Sequence, residues 1–397
     1  MSGYQKLILG FLALTAGLLV GVVLLFGVET YQTWARQPLG PALVLPAGIS
    51  PQSLPPTWTA SPWAGSTMPV AGTPGIPAVE STLAAFGPVS APQTYVPRCD
   101  GPPAMNLLAV GSDQRSDSYV YGLGDVIRLV RVDFIVPKVT VLEFPRDLWV
   151  EIPGISDNLD GQDHEKLNQA YLYGNRGFGY TDDPAQGPGL LAATLALNFG
   201  VQLDHYVGVN MRTFVNVVDA VEGIDIFLDE GMDGRTAEDD SKRLVFPKGQ
   251  NHLNGDQALT LARIRNEGVF ARADNQDLVL CALREKLTHP EVITQIPQLM
   301  ASFQDNIQTD LSPQEITQLA CLGPQIQPQN IVFASFPQEY FKGTRIYDPV
   351  FRKKVFIWDV DYKILREYVA RFQAGTWPPI TYPGSSSNLK EPAIVCH

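Results

Sequence analysis

Apolar residues run almost without interruption from position 7 to position 28, preceded by Lys6 and followed by Glu29. A run of about 22 residues is long enough for a helix to cross hydrocarbon, which takes roughly 20. It is longer than the apolar core of a cleaved signal peptide, about 7–15 residues, and no small-x-small cleavage site follows it. The pattern predicts a single-pass transmembrane anchor over residues 1–30. Lys6 and the free amine before the run predict a cytoplasmic N-terminus, which leaves the rest of the chain extracytoplasmic. From 37 to 97 the periodicity disappears, about a fifth of the residues are proline, and Gly, Ser, Thr and Ala fill most of the remainder. Proline fixes φ and removes a backbone donor, so neither a long helix nor a central strand fits. Residues 31–98 read as a Pro-rich extracytoplasmic linker, a semi-rigid and mostly extended stalk.

Regular patterning resumes near Cys99. Apolar runs at 105–110, 126–134 and 139–144 predict strands, the last two joined by a turn at Pro137-Lys138. Residues 167–173 and 189–199 predict helices, the second stopped by Gly200. A strand at 205–209, an amphipathic helix at 212–221 and a strand at 224–228 follow. Helices are predicted over 255–265, 275–287, 291–300 and 312–321, and a last strand over 330–335. Strands alternating with helices predict an α/β fold, a three-layer α-β-α sandwich around a central mixed sheet. Residues 99–290 form its domain, and 291–397 a C-terminal extension packed on it.

The net charge of −12 provides no basic excess to displace phosphate counterions, which excludes nonspecific nucleic-acid binding. Cys99, Cys281, Cys321 and Cys396 are far apart, with no C-x-x-C pair, so a zinc site is not indicated. Outside the cytoplasm an even count reads as two disulfides, and sequence permits three pairings. Cys281–Cys321 and Cys99–Cys396 are the expected bonds, the second tying the ends of the domain together. His164, His205, His252, His289 and His397 are scattered. No G-x-S-x-G, H-E-x-x-H or Walker loop is present.

Asp and Arg recur just after strand ends. Asp113 and Arg115 follow the first strand, Asp125 opens the second, and Arg146 follows the third. Ligands of α/β sheets gather at the carboxyl ends of strands, which makes these residues candidates for a common cleft. Arg263 and Arg265 end a helix, with Arg272 a few residues on. Two carboxylates with several guanidinium forks suit a divalent cation and a pyrophosphate, and the same charges stabilise a leaving phosphate. Singly, each residue also has an ordinary role as a turn former, cap or helix-dipole partner.

The succession GSDQR, FPRD, KLNQAYLYG, HYVGVNMRTFVNVVDAVEGIDI and HLNGDQALTLARIR resembles the LytR-CpsA-Psr family of cell-wall glycopolymer transferases over roughly residues 106–287. The resemblance implies a membrane-anchored phosphotransferase that moves a glycopolymer from a polyprenyl-pyrophosphate carrier to a cell-wall acceptor with Mg²⁺. It also implies an apolar tunnel for the prenyl chain, with helices 190–199 and 214–221 as candidate walls. Asp113 and Asp125 match the metal and phosphate-region aspartates. Arg115, Arg146, Arg263 and Arg265 match catalytic arginines, and Lys166, Asn168, Arg272 and Asn275 fall at substrate-binding positions. Three departures stand out. Leu123 replaces an Arg two residues before the second aspartate, Val269 occurs where an acid is common, and Asn275 replaces a second late Arg. A non-catalytic polyprenyl-lipid-binding module and a polyprenyl-pyrophosphate phosphatase fit the same pattern.

Overall fold

The computed structural model describes residues 33, 35–44, 96–114, 122–157, 159–235, 245–264, 269–293, 307–379 and 393–396. The expected anchor over residues 7–28, Arg115, Arg265 and most of the Pro-rich stretch lie outside them. Among the described residues no helix is long and apolar enough to cross a membrane.

β1 (Ala104–Ser112) pairs antiparallel with β2 (Gly124–Asp133), which pairs antiparallel with β3 (Lys138–Glu143). β4 (Trp149–Glu151) and β5 (His164–Lys166) form a short antiparallel pair leading into α1 (Leu167–Tyr173) and α2 (Gly187–Phe199). β6 (His205–Asn210) returns parallel to β1 and runs into α3 (Met211–Ala220). β7 (Ile224–Leu228), the two-residue strands β8 (Met232–Asp233) and β9 (Val245–Phe246), and β10 (Gly249–Leu253) form an outlying unit. Then come α4 (Gly255–Leu261), α5 (Val269–Leu287), α6 (Pro290–Ile293), β11 (Ile307–Thr309), α7 (Pro313–Leu322) and β12 (Ile331–Ser335). A hairpin, β13 (Lys342–Asp348) with β14 (Lys353–Asp359), precedes α8 (Tyr362–Gln373) and β15 (Ala393–Val395). The central sheet has seven strands in the order β11-β6-β1-β2-β3-β12-β15, parallel at β6–β1 and β3–β12. This is the mixed α/β arrangement expected from the alternation of elements. Three of its strands come from after residue 290, so the sheet continues across that boundary.

Side chains alternate between the two faces of a strand, and each face carries its own core. Leu108, Val110, Ile127, Leu129, Leu142 and Phe144 pack with Leu190, Leu195, Leu365 and Phe372. Met105, Leu107, Val132, Phe134 and Val141 pack on the other face with Leu319, Leu322 and Phe333. A third cluster joins β7 and β10 to α3, α4 and α5.

Several boundaries follow local chemistry. Gly200 ends α2 at φ 71°, a left-handed conformation that glycine adopts without strain. Asn210 caps α3, and Asn254 and Ser312 begin α4 and α7 with capping boxes. The helix expected from position 275 begins at Val269, so Asn275 is interior rather than a cap. The helix expected over 255–265 ends at Leu261. Of the helix expected over 291–300, Pro290–Ile293 is helical and 294–300 lie outside the described residues. The β13–β14 hairpin and α8 had no counterpart in the sequence reading.

The disulfides differ from expectation. Cys99 bonds Cys321 and Cys281 bonds Cys396, with Cα separations of 5.9 and 5.5 Å. Packing dictates the exchange. α7 lies against the Arg98–Asp100 turn, where Gln318 Nε2 donates to the Asp100 carbonyl at 2.7 Å and Arg98 to Gln325 Oε1 at 3.1 Å, which brings Cys321 to Cys99. β15 adds to the β12 edge and carries Cys396 to the flank of α5. Non-reducing peptide mapping is expected to recover Cys99 with Cys321 and Cys281 with Cys396. In the loop-entropy model Cys281→Ser lowers unfolding free energy by up to about 5 kcal/mol, measurable by urea denaturation. A Cys281–Cys321 peptide would overturn this arrangement.

Candidate functional site

The end of β1 and the start of β2 are bonded to each other. The Asp113 amide donates to the Leu123 carbonyl at 3.0 Å, and the Leu123 amide donates to Asp113 Oδ1 at 2.7 Å. Between them the strands approach so closely that a Cβ at Gly122 would lie 2.1 Å from Ser112 Oγ. Leu123 therefore holds the Asp113 carboxylate by its backbone.

Asp125, two residues on, is a hub. Arg146 pairs with its Oδ1, which also accepts Asn168 Nδ2 at 3.3 Å, and Arg272 Nη2 donates to its backbone carbonyl at 3.2 Å. Arg146 also faces Asp147 Oδ2 at 3.4 Å, and Lys166 Nζ donates to Asp147 Oδ1 at 2.7 Å. The Asn168 amide donates to the Arg146 carbonyl at 3.1 Å, so α1 begins against the loop that carries Arg146. Burial works against the charge of Arg146, but the Asp125 and Asp147 carboxylates hold its pKa above the ordinary guanidinium value. Asp125, Arg146, Lys166, Asn168 and Arg272 are thus one bonded network.

Asp125 also borders an apolar cavity of about 230 Å³. Ala109, Gly111, Val126, Val207 and Val209 form its sheet wall, and Phe214, Leu259, Val279 and Leu280 its helical wall. Arg263 and Arg272 stand on its rim with Gln276. A second apolar cavity of about 390 Å³ lies on the same sheet face between Val139, Val141, Phe333 and Leu319, and Leu280 lines both. Phe214 lines the first of these cavities. Helix 190–199 does not, because it packs in the core on the opposite sheet face.

A buried ion cluster at the cavity was missed in the sequence. Arg128, 3% exposed, pairs with Asp277 and with Glu143 at 3.3 Å, and its Nη2 donates to Gln276 Oε1 at 3.1 Å. Its guanidinium lies 5.7 Å from the Phe333 ring centre. Arg128 and Glu143 are directly opposed in the β2–β3 register, so a correct strand pairing would have revealed half of it. Burial raises the Glu143 pKa against the pull of Arg128 and Arg272, with Asp274 adding to the rise. Burial likewise pushes the Asp277 carboxyl up to about 7, against Arg128 and with help from Glu143 and Asp274.

Asn275 is buried inside α5 and is not among the residues lining the cavity. Arg115, Arg265 and the Val269 side chain lie outside the described residues. Among the described residues no three His, Cys, Asp or Glu side chains gather as a metal cage. Asp113 and Asp125, the expected metal aspartates, stand where β1 ends and β2 begins, and Asp125 Oδ1 is engaged by Arg146 and Asn168.

A family model described as the LytR_cpsA_psr family matches residues 90–359. The chain is 28% identical over 209 residues to TagV of Bacillus subtilis (strain 168), named polyisoprenyl-teichoic acid–peptidoglycan teichoic acid transferase, covering 52% of this chain and 49% of that one. It is also 28% identical over 219 residues to the like-named TagU of Oceanobacillus iheyensis, covering 54% and 62%. The chain thus spans about half to three-fifths of the length of these curated relatives. The crystal structure of Bacillus subtilis TagV aligns with a TM-score of 0.53 at 23% identity, covering 69% of this chain and 97% of that one. A Streptococcus agalactiae protein aligns with a TM-score of 0.55 at 22% identity, covering 69% and 88%. Both likenesses show the fold.

The ion cluster makes two predictions. Arg128→Ala leaves Glu143 and Asp277 buried without their cation and is expected to cost about 3–5 kcal/mol in urea denaturation. The Asp277 carboxyl ionises near 3.8 when unfolded and near 7 when folded, so folding takes up a proton between those values. Its contribution to stability is present below about pH 4 and falls as pH rises to about 7. Urea midpoints of Asp277→Asn are expected to decline less steeply over that window than those of the native chain.

Proposed function

Because the chain belongs to the LytR_cpsA_psr family, we propose that it is a membrane-anchored, extracytoplasmic phosphotransferase that moves a glycopolymer from a polyprenyl-pyrophosphate carrier to a cell-wall acceptor. The observation that carries this reading is that a guanidinium network and an apolar cavity meet at one residue, Asp125. A polyprenyl pyrophosphate has a doubly charged head on an apolar tail, and it needs both surfaces side by side. Arg146, Arg272 and Arg263 supply the head with forked donors, and the cavity walled by Val207, Val209 and Phe214 accepts the start of the tail.

The acceptor hydroxyl attacks the sugar-linked phosphorus, its new P–O bond forming as the bond to the bridging oxygen breaks. Polyprenyl phosphate leaves with that electron pair, and the hydroxyl proton passes to a carboxylate of the Asp113/Asp125 pair. Arg146 and Arg272 offset the charge that grows on the leaving phosphate. Asp113 and Asp125 would hold Mg²⁺, which supplies further positive charge to the pyrophosphate oxygens. Lys166 acts through Asp147, which it shares with Arg146, and thereby positions that guanidinium.

A second reading, a lipid-binding module without turnover, is favoured by Leu123 and Asn275. The first offers the site only its backbone, and the second does not line the cavity. A phosphatase of the same fold would use water in place of the acceptor hydroxyl. Incubating the purified ectodomain with a polyprenyl-pyrophosphate-linked sugar, an acceptor glycan and Mg²⁺ separates the three, through sugar transfer, phosphate release or binding alone. Transfer is the expected outcome.

Arg146→Ala is expected to lower transfer about tenfold to a hundredfold, since a charge-assisted bond is worth roughly 1.5–3 kcal/mol and 1.36 kcal/mol is tenfold in rate. Asn275→Arg places a guanidinium in a buried position away from the cavity. It is expected to lower the melting temperature by several degrees without raising transfer. A rate increase in that variant would place position 275 at the pyrophosphate after all.

A further inference from the structure

Part of the Pro-rich stretch that follows the expected anchor packs on the domain. Residues 39–44 first bind the domain at five successive points. The Leu39 amide donates to the Leu311 carbonyl at 3.1 Å. At Gly40 the backbone passes so close to β11 that a Cβ there would lie 2.5 Å from the Thr309 carbonyl oxygen. Tyr206 Oη donates to the Pro41 carbonyl at 3.1 Å. Leu43 packs against the larger core cluster, and the Val44 amide donates to the Asp183 carboxylate. Arg36, just upstream, stands in a groove walled by Asp204 and Glu315, of opposite charge. The segment crosses the edge strand β11, whose outer side has no sheet partner among the described residues. Covering an edge with chain is a recurrent way to blunt it.

The far end of the Pro-rich stretch is fixed as well. The Arg98 amide donates to the Phe134 carbonyl at 2.9 Å, and Cys99 is bonded to Cys321. Both ends of residues 45–95 are therefore tied to the same domain, and that stretch adds nothing to the distance between domain and anchor. We propose that residues 39–44 are a fixed clip on the β11 edge, so that residues 29–38 alone set the domain's reach from the anchor and residues 45–95 add nothing to it. This rests on the reading of residues 7–28 as an anchor. The difference in scale is large. Ten residues from 29 to 38 span at most about 36 Å, whereas a polyproline-like stalk running from 29 to 96 would span on the order of 200 Å. The domain so tethered remains within reach of lipid-linked donors in that bilayer.

The test is energy transfer from a fluorophore ligated at the C-terminus of the full-length protein to headgroup-labelled lipids in proteoliposomes. About 30 Gly/Ser residues, on the order of 30 Å as a flexible coil, are inserted either between residues 69 and 70 or between residues 31 and 32. The clip predicts unchanged transfer for the first insertion and a clear loss for the second. Gly40→Leu drives the segment off β11 and is expected to make the first insertion lower transfer too. In that variant hydrogen exchange at the Leu39 amide is expected to accelerate, with circular dichroism unchanged. Transfer that falls with the 69/70 insertion in the otherwise native chain would overturn the clip. Failure of the native protein to remain with the vesicles would overturn the anchor on which it rests.

Discussion

The antiparallel register of β1 on β2, from Ala104 opposite Asp133 to Gly111 opposite Val126, is the constraint on which the remaining arrangement depends. It assigns every residue of both strands to a face. Leu108 and Ile127 go to one core, Met105 and Val132 to the other. At its open end it sets Asp113 against Leu123 and leaves Asp125 free to meet Arg146 and Asn168. A slip of one residue would exchange the two cores and bury Asp125 or Arg128 on the wrong side. Two apolar faces that each need covering make such a slip expensive, so the register that serves the core also aims the carboxylates.

The same register places a charge inside the cavity-bearing face. Arg128 points among apolar neighbours and is tolerated because Glu143 lies across from it and Asp277 reaches it from α5. Two carboxylates and an amide oxygen take up its Nη groups, while its Nε is buried without a hydrogen bond, and such clusters seldom stabilise more than apolar packing of equal volume. Its effect is to tie α5 to the sheet at the point where Arg272, on the same helix, reaches Asp125. Helix, sheet and polar network are then one rigid frame around the cavity rim.

Much of this was legible from residue order. Gly200, Ser312 and Asn254 marked helix ends by chemistry that acts within a few residues, and the strands at 105–110 and 224–228 were read from apolar runs. Lys166 and Asn168 were found through a motif, and the structure gives each a bonded partner in the network. What failed was non-local. The disulfide pairing depends on which helix crosses which turn, and no local pattern carries that. Helix 190–199 and Phe214 looked equally suited to an apolar wall, since periodicity does not say which sheet face an element covers. Arg128 looked like one more charge in a strand until its register partner was known. The helix expected from position 275 begins six residues earlier, at Val269.

The two disulfides overlap along the chain, each closing around one cysteine of the other. A polypeptide whose segments enter an oxidising compartment in sequence order presents Cys99 and Cys281 together, a pair the fold never joins. The first correct partner arrives with Cys321, and the second only with Cys396. Oxidation that outruns translocation therefore meets a wrong pair before a right one. For a chain oxidised as it emerges in sequence order, correct linkage is a matter of timing as well as of packing, waiting on Cys321 and Cys396.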